Sequence, residues 1–342
     1  MGKVITMEDK PRSAVKKQLI DEASIKQRKS KMTLTETCLD KISRVAQNPN
    51  MWYFGKRLWR LWLKQLFSMG LYKIPDSPML KNWDGKTSLY LQLQEGAFAT
   101  RRLWFLGYVQ YDEEYFLRSF LRPGMTVIDV GANIGYLSII CALSVRPSGA
   151  VHSFEPVSST FEFLKKNIFT NGFEEIVTAN RLAVSNRSGD IVKLDYCEGH
   201  SGKSHLSIDK SQKRKGWKLG LEQVTTISLD QYVVSHNIAK VDFLKIDVEG
   251  CELLVLAGAQ EILKNHHPNV LCEFNYKALQ RFGGSTNELW DKWKEYGYSF
   301  YNYNHRTRRL IRCSTIPKQG APTYIGTTQV KKLAQHIGAK II

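Results

Sequence analysis

Apolar positions in this chain recur in two rhythms, every second residue and every third or fourth, and the change between them marks where elements begin and end. The clearest change lies at TVIDVGANIGY, residues 126–136. The β-branched run Thr126, Val127, Ile128 ends in Asp129, a turn carries Gly131, Asn133 and Gly135, and an apolar run from Leu137 to Leu143 follows at helical spacing. This predicts strand, tight turn and helix N-terminus. Glycines allow close approach to the backbone, and a helix start offers unpaired N–H groups, so an anionic or zwitterionic ligand is expected there.

A helical pattern over 113–120 leads through Arg122, Pro123 and Gly124 into that strand. Downstream, strands are expected at 150–154, 176–184, 191–194, 223–229, 241–246 and 269–274. Helices are expected at 158–171, 230–236, 252–263 and 286–296. Ser158, Ser159 or Thr160 is expected to cap the first of these, and Asn171 with Gly172 to stop it. Residues 197–219 read as a Gly-, Ser-, His- and Lys-rich insertion, and 299–303 with 310–313 as a closing antiparallel hairpin. Alternating strands and helices imply an α/β fold with a mostly parallel sheet covered on both faces, and such sheets bind ligands at the carboxyl ends of their strands. The acids at those ends are Asp129, Glu155, Asp247 and Glu273.

Composition adds a basic extension to this picture. The chain has 342 residues and a formal charge of +17, and residues 1–75 hold sixteen Lys or Arg against six Asp or Glu. Within them, residues 51–72 place Leu58, Trp59, Trp62, Leu63, Leu66 and Phe67 on one helical face, which fits packing on a domain or lying on an anionic membrane. The expected division is a basic N-terminal extension at 1–90, a catalytic domain at 91–318 and a C-terminal tail at 319–342. Six scattered cysteines without CxxC spacing read as reduced structural thiols. With no apolar leader and no run long enough to span a membrane, a cytoplasmic protein is expected, with a peripheral membrane or other anionic partner through residues 1–75.

Glu155 lies about 20 residues past the glycine turn, where a carboxylate accepts both hydrogen bonds of a ribose diol. The turn itself is GxNxG rather than the GxGxxG that cradles a pyrophosphate, which disfavours a dinucleotide. IDVGANIGYLS, SFEP at 153–156, LAVSNRSGD at 182–190, TISLDQYV at 226–233 and FLKIDVEGCELLVLAGAQEIL at 243–263 together resemble the ordered motifs of the FkbM-type methyltransferases. The resemblance spans about 108–275. It implies S-adenosylmethionine as cofactor, O-methylation of a sugar, glycan or other hydroxylated small molecule, and a class I, Rossmann-like fold with a mostly parallel seven-stranded sheet and an antiparallel C-terminal hairpin.

Carried to these positions, the resemblance implies that Asp129, Gly131, Asn133 and Gly135 hold the amino-acid end of the cofactor. Glu155 would take its ribose, and Leu182 and Ala183 its adenine edge. Methyl transfer needs an acceptor oxygen in line with the methyl carbon and, for a poorly acidic hydroxyl, a base. Asp247 is the leading candidate for that role; Glu249 supports the acceptor or caps the next helix, and Glu273 faces the same cleft. His200 and His205 are candidates for a lid. No metal is assigned, although Asp247, Glu249 and Glu273 form an oxygen-rich set of the kind magnesium accepts. The alternatives are an RNA methyltransferase or basic RNA- or membrane-binding protein, and a dinucleotide-dependent oxidoreductase. No (D/N)PPY motif follows the fourth strand, where this chain has DVEG.

Overall fold

The computed structural model describes residues 62, 64–66, 68–71, 78–80, 86–92, 98–109, 111–197, 205–206, 219–316 and 319–342. The chain divides into units 1–74 and 75–342, and the account below concerns the second. Most of the amphipathic stretch at 51–72 lies outside the described residues, as does His200.

A short antiparallel pair, β1 (Met79–Leu80) and β2 (Leu89–Tyr90), precedes helices α1 (Phe98–Leu106) and α2 (Tyr111–Phe120). The α/β core then runs β3 (Thr126–Val130), α3 (Tyr136–Val145), β4 (Ala150–Phe154), α4 (Ser158–Thr170) and β5 (Val177–Asn180). After β6 (Ala183–Val184), β7 (Ile191–Cys197), β8 (His205–Leu206) and β9 (Leu219–Ile227) come α5 (Leu229–Ser235), β10 (Phe243–Ile246), α6 (Glu252–Ala257) and β11 (Asn269–Glu273). The chain closes with α7 (Tyr276–Arg281), α8 (Thr286–Glu295), β12 (Ser299–Asn304), β13 (Arg309–Arg312), β14 (Thr323–Thr327), α9 (Val330–Ile337) and β15 (Lys340–Ile341).

The main sheet has the order β15-β13-β12-β14-β11-β10-β3-β4-β5, with β5, β4, β3, β10 and β11 parallel. From β12 to β5 these are the seven strands of the expected fold, and β13 and β15 extend one edge. The chain winds from β3 outward to β5 and then from β10 the other way, so the crevice between β3 and β10 is the switch point where such folds bind ligands. β3 is buried from Val127 to Val130 and β10 along its whole length, as strands covered by helices on both faces must be.

Several expectations need correction. The strand expected at 176–184 ends at Asn180, because Ala183–Val184 turns away to pair with Thr226–Ile227 in a second, smaller sheet with β7 and β8. The expected helix 252–263 stops at Ala257: a Cβ on Gly258 would lie 2.1 Å from the Ser185 carbonyl oxygen, so Ser185 packs where a continuing helix would need a side chain. A π turn at Ile262–His266 follows, its start held by Asp230 accepting from the Glu261 and Ile262 N–H groups. No serine or threonine side chain caps α4; the Ser158 hydroxyl donates to Glu222 instead. The C-terminal tail expected at 319–342 supplies β14, which lies between β11 and β12 inside the sheet and runs antiparallel to both. The 299–313 hairpin forms as read but pairs with β14 rather than with β11.

Two asparagines tie the early segment to the core: Asn171 exchanges hydrogen bonds with the Ser88 N–H and carbonyl, both at 2.8 Å, and Asn167 holds Tyr90. Asn167 on α4, wholly buried, accepts from the Tyr90 N–H at 2.6 Å and donates to the carbonyls of Tyr90 and of Ile134 in the glycine turn. Replacing it with the near-isosteric Leu removes the partner of the buried Ile134 carbonyl and of the half-buried Tyr90 N–H and carbonyl, and an unpaired buried group costs about 1–3 kcal/mol. Urea unfolding of Asn167→Leu is expected to show a loss of at least about 2 kcal/mol, and a change below about 0.5 would remove this anchor from the account.

Candidate functional site

At the switch point, Lys245 of β10 stands in register with Asp129 of β3. Its Nζ donates to the Gly131 carbonyl at 2.6 Å and lies 3.2 Å from Asp129 Oδ1 and 3.7 Å from Asp247 Oδ2. Burial works against the ammonium charge, but the carboxylates of Asp129 and Asp247 outweigh it, and the pKa is raised above that of a free lysine. The two carboxylates differ in access. The Asp129 side chain is 1% exposed and also accepts from the Ser138 hydroxyl at 2.6 Å, whereas that of Asp247 is 31% exposed. Asp129 therefore braces the turn from inside, and Asp247 is presented at the cleft.

The glycine turn owes its residues partly to the protein itself. A Cβ on Gly131, at φ +78°, would lie 1.9 Å from the Asp247 carbonyl oxygen, so the loops after β3 and β10 touch backbone to backbone. A Cβ on Gly135 would meet Leu164 of α4 at 2.7 Å. These glycines, read from the sequence as clearing space for a ligand, clear it first for neighbouring loops and helices. Asn133 adopts φ +54°, and its side chain accepts from the Ile134 N–H. No side chain caps α3, which leaves its first-turn N–H groups for a ligand.

Glu155 joins the turn from β4. Its Oε2 accepts from the Asn133 N–H and its Oε1 from the Val157 N–H, both at 3.0 Å, and burial raises its carboxyl to about 7 against those hydrogen bonds. Leu182 and Ala183 follow the end of β5, whose Asn180 carbonyl accepts from the Glu155 N–H. Both are half-buried, Leu182 against the main core and Ala183 against Val157, Leu194 and Val224.

On the other side of Asp247, carboxylate oxygens of Asp247, Glu249 and Glu273 lie within 4.8 Å of one another. Glu249, at φ +53°, accepts from the Asn275 side chain; α6 has no side-chain cap, and Glu252 Oε1 accepts from the Val248 and Gly250 N–H groups of the turn that precedes it. Glu273 Oε2 is buried with no hydrogen-bond partner among the described residues, and burial followed by the charges of Asp247 and Glu249 holds its carboxyl well above the usual range. His205, the other lid candidate, sits in β8 opposite Asp195.

Sequence reasoning missed two contributors. In the sequence Lys245 merely alternates with Leu244 and Ile246, and only the register of β10 on β3 reveals its pairing. Glu113 on α2 reads as one of three acids favoured by the dipole of a helix start, yet burial raises its carboxyl to about 8, with the Thr323 side chain opposing and the Asp247 charge adding. Nothing in its local sequence separates it from Asp112 and Glu114.

Residues 129–300, half of the chain, match the Methyltransferase FkbM domain. The chain belongs to the FkbM methyltransferase family. It is 29% identical over 164 residues to the 31-O-demethyl-FK506 methyltransferase FkbM of Streptomyces tacrolimicus, covering 41% of this chain and 62% of that protein. It is 33% identical over 137 residues to the hexuronic acid methyltransferase AglP of Haloferax volcanii, covering 40% of this chain and 51% of that one. The matches thus span less than two thirds of either relative. A crystal structure of a methyltransferase FkbM from Methylobacillus flagellatus is similar at TM-score 0.36 and 13% identity, over 68% of this chain and 56% of that one.

The cofactor is S-adenosylmethionine, and the groups on hand fit it. The uncapped N-terminus of α3 suits a carboxylate, Glu155 a ribose diol, and the acidic cleft with its orphaned Glu273 oxygen a cation. When bound, the cofactor supplies a methyl group already activated on a sulfonium.

A pH dependence follows from Glu155. Its proton is held to about pH 7 in the folded chain and to 4.5 in the reference state, so the stability it contributes is full below 4.5 and lost as pH rises through about 7. A ribose diol donates to the ionised form, so cofactor binding runs the opposite way. Affinity for S-adenosylhomocysteine is expected to fall by up to about tenfold per pH unit below pH 7, and Glu155→Gln to bind at least about tenfold more weakly with a flat profile. Calorimetric titration from pH 5 to 8 checks this, and a flat profile in the native chain would take the ribose away from Glu155.

Proposed function

We propose that this chain transfers the methyl group of S-adenosylmethionine to a hydroxyl oxygen of a small molecule or glycan. The observation that carries the reading is the half-exposed carboxylate of Asp247, held at the carboxyl end of β10 beside the glycine turn. A carboxylate there accepts a hydrogen bond from an acceptor hydroxyl, orients its lone pair and draws off its proton as the C–O bond forms. The acceptor oxygen must sit about 3–3.5 Å from the methyl carbon, so much of the residue's effect is positional.

Glu249 and Glu273 flank Asp247 as further acceptors for neighbouring hydroxyls, a chemistry suited to polyhydroxylated molecules. Two relatives support oxygen as the target: one is named for an O-demethylated acceptor and the other for a hexuronic acid. Among the described residues no helix is long and apolar enough to cross a membrane, and any anionic partner of residues 1–75 would be a separate contact.

The test is a screen of hydroxylated sugars and macrocyclic alcohols with methyl-labelled cofactor, followed by Asp247→Asn. Label is expected in a base-stable ether, and the variant is expected to lose about 10²–10⁴ in kcat while binding S-adenosylhomocysteine within about threefold of the native chain. Label appearing on nitrogen or on RNA, or an Asp247→Asn variant with native turnover, overturns the reading.

A further inference from the structure

The row of strand ends that carries Asp247 and Glu273 runs on toward the far edge of the sheet. Thr323 stands directly opposite Glu273, and Tyr301 of β12 opposite Ile325, so Tyr303 ends level with Glu273 and His305 follows at the start of the hairpin turn. That turn therefore lies at the carboxyl edge, two strand spacings or about 10 Å from β11. Helix α2 descends from the same edge, since Phe116 and Phe120 pack on Phe243 at the start of β10. Its first turn is pinned on both sides. Glu114 accepts from the Tyr136 hydroxyl at the start of α3, and Asp112 pairs with His305.

Aromatic rings gather where these elements meet. Tyr111 packs edge to face with His305, ring centres 4.6 Å apart, and with Tyr108 at 5.1 Å, while Tyr115 lies 5.2 Å from His305. All four rings are half-buried, whereas Phe116 and Phe120 of the same helix are buried. The Arg102 guanidinium stands over the Tyr108 ring at 5.7 Å, and Arg306, Arg308 and Arg309 of the hairpin are exposed. Among the described residues none of these arginines has an ion-pair partner, and the acid of this rim, Asp112, is taken by His305.

We propose that this rim binds a second sugar ring of the acceptor, and that the acceptor is an acidic oligosaccharide rather than a single sugar or a macrocyclic alcohol. The inference rests on the hydroxyl-methylation reading above and narrows it. A pyranose has a face of C–H bonds that packs on the electron-rich face of an aromatic ring and leaves its hydroxyls free around the edge. The reacting unit presents its hydroxyls to Asp247, Glu249 and Glu273. A gap of about 10 Å is wider than one sugar ring, so the ring on Tyr108 and Tyr111 belongs to a further unit. Charge sets which way round the chain lies. The carboxyl groups of the cleft oppose an anion, whereas Arg102 and the hairpin arginines attract one, and a planar guanidinium takes a carboxylate on two donors. The acidic unit is thus held outside and a hydroxyl-bearing unit is put inside. RNA also offers rings and anions, but its phosphates would have to enter among the carboxyl groups to bring a ribose hydroxyl to Asp247.

The full-length chain, saturated with S-adenosylhomocysteine, is applied to an array of neutral and of uronate- or sialate-bearing glycans, from single sugars to hexasaccharides, together with single-stranded RNA. Acidic members longer than one unit are expected to be retained at least about tenfold more tightly than single sugars or neutral members of equal length. Tyr108→Ala should weaken that retention at least about tenfold while holding S-adenosylhomocysteine within about threefold of the native chain, and Tyr108→Phe, which keeps the ring, should restore it. Arg102→Gln should erase the preference for acidic over neutral members, and this arm decides where Tyr108→Ala also loses the cofactor. No glycan retained, single sugars held as tightly as longer chains, native retention in Tyr108→Ala, no recovery in Tyr108→Phe or an acidic preference that survives in Arg102→Gln overturns the inference. It falls alone if single sugars or macrocyclic alcohols are methylated on oxygen. RNA retained and methylated in place of glycans overturns both readings.

Discussion

A buried ammonium group holds the centre of this molecule together. Lys245 enters from β10, reaches across to β3, and ties Asp129, the Gly131 carbonyl and Asp247 to one point. Taking such a charge out of water costs several kcal/mol unless partners replace the lost hydration, and here two carboxylates and a carbonyl do so. The arrangement fixes the two loops at the switch point against each other. Gly131 completes it, since any side chain there would strike the Asp247 backbone. The glycine turn and the candidate acceptor-binding carboxylate are thus parts of one rigid contact.

Around that contact the site separates into two electrostatic halves. Toward β4, Glu155 is gripped by backbone N–H groups of the turn and of the loop before α4, which positions it while leaving lone pairs for a diol. Toward β11, carboxyl groups crowd together with little to neutralise them, and their burial favours protonated forms. A site of this kind welcomes cations and hydrogen-bond donors and opposes anions. It is complementary to a sulfonium and to hydroxyl groups, which is the combination that methyl transfer to oxygen requires.

Much of this was legible in the sequence because it is local. The strand, turn and helix at 126–145 follow from β-branched residues, glycine and an apolar run that lie side by side in the chain, and the acids at strand ends follow from the α/β pattern. What was not legible depends on register and on packing between distant segments. TYIGT at 323–327 is short, carries a glycine and gives no periodic signal, yet Gly326 is demanded by Val270 and Phe300, which a Cβ would strike. The break at Gly258 likewise exists only because Ser185 arrives from another element. Glu113 looks like an ordinary helix-start acid until α2 is docked, and Lys245 looks like a surface lysine until β10 is paired with β3.

The place of β14 has a bearing on how the chain assembles as it is made. Its five residues fill a slot between β11 and β12, although β12 and β13 precede it in the chain. While the polypeptide is still emerging from the ribosome, β3, β4, β5, β10 and β11 can align, but β12 has no neighbour to join them through. The hairpin must wait, its edge unsatisfied, until Thr323–Thr327 has been synthesised and threaded into the gap. Half of the sheet can therefore mature early, while the other half closes only once residues 323–327 have been made.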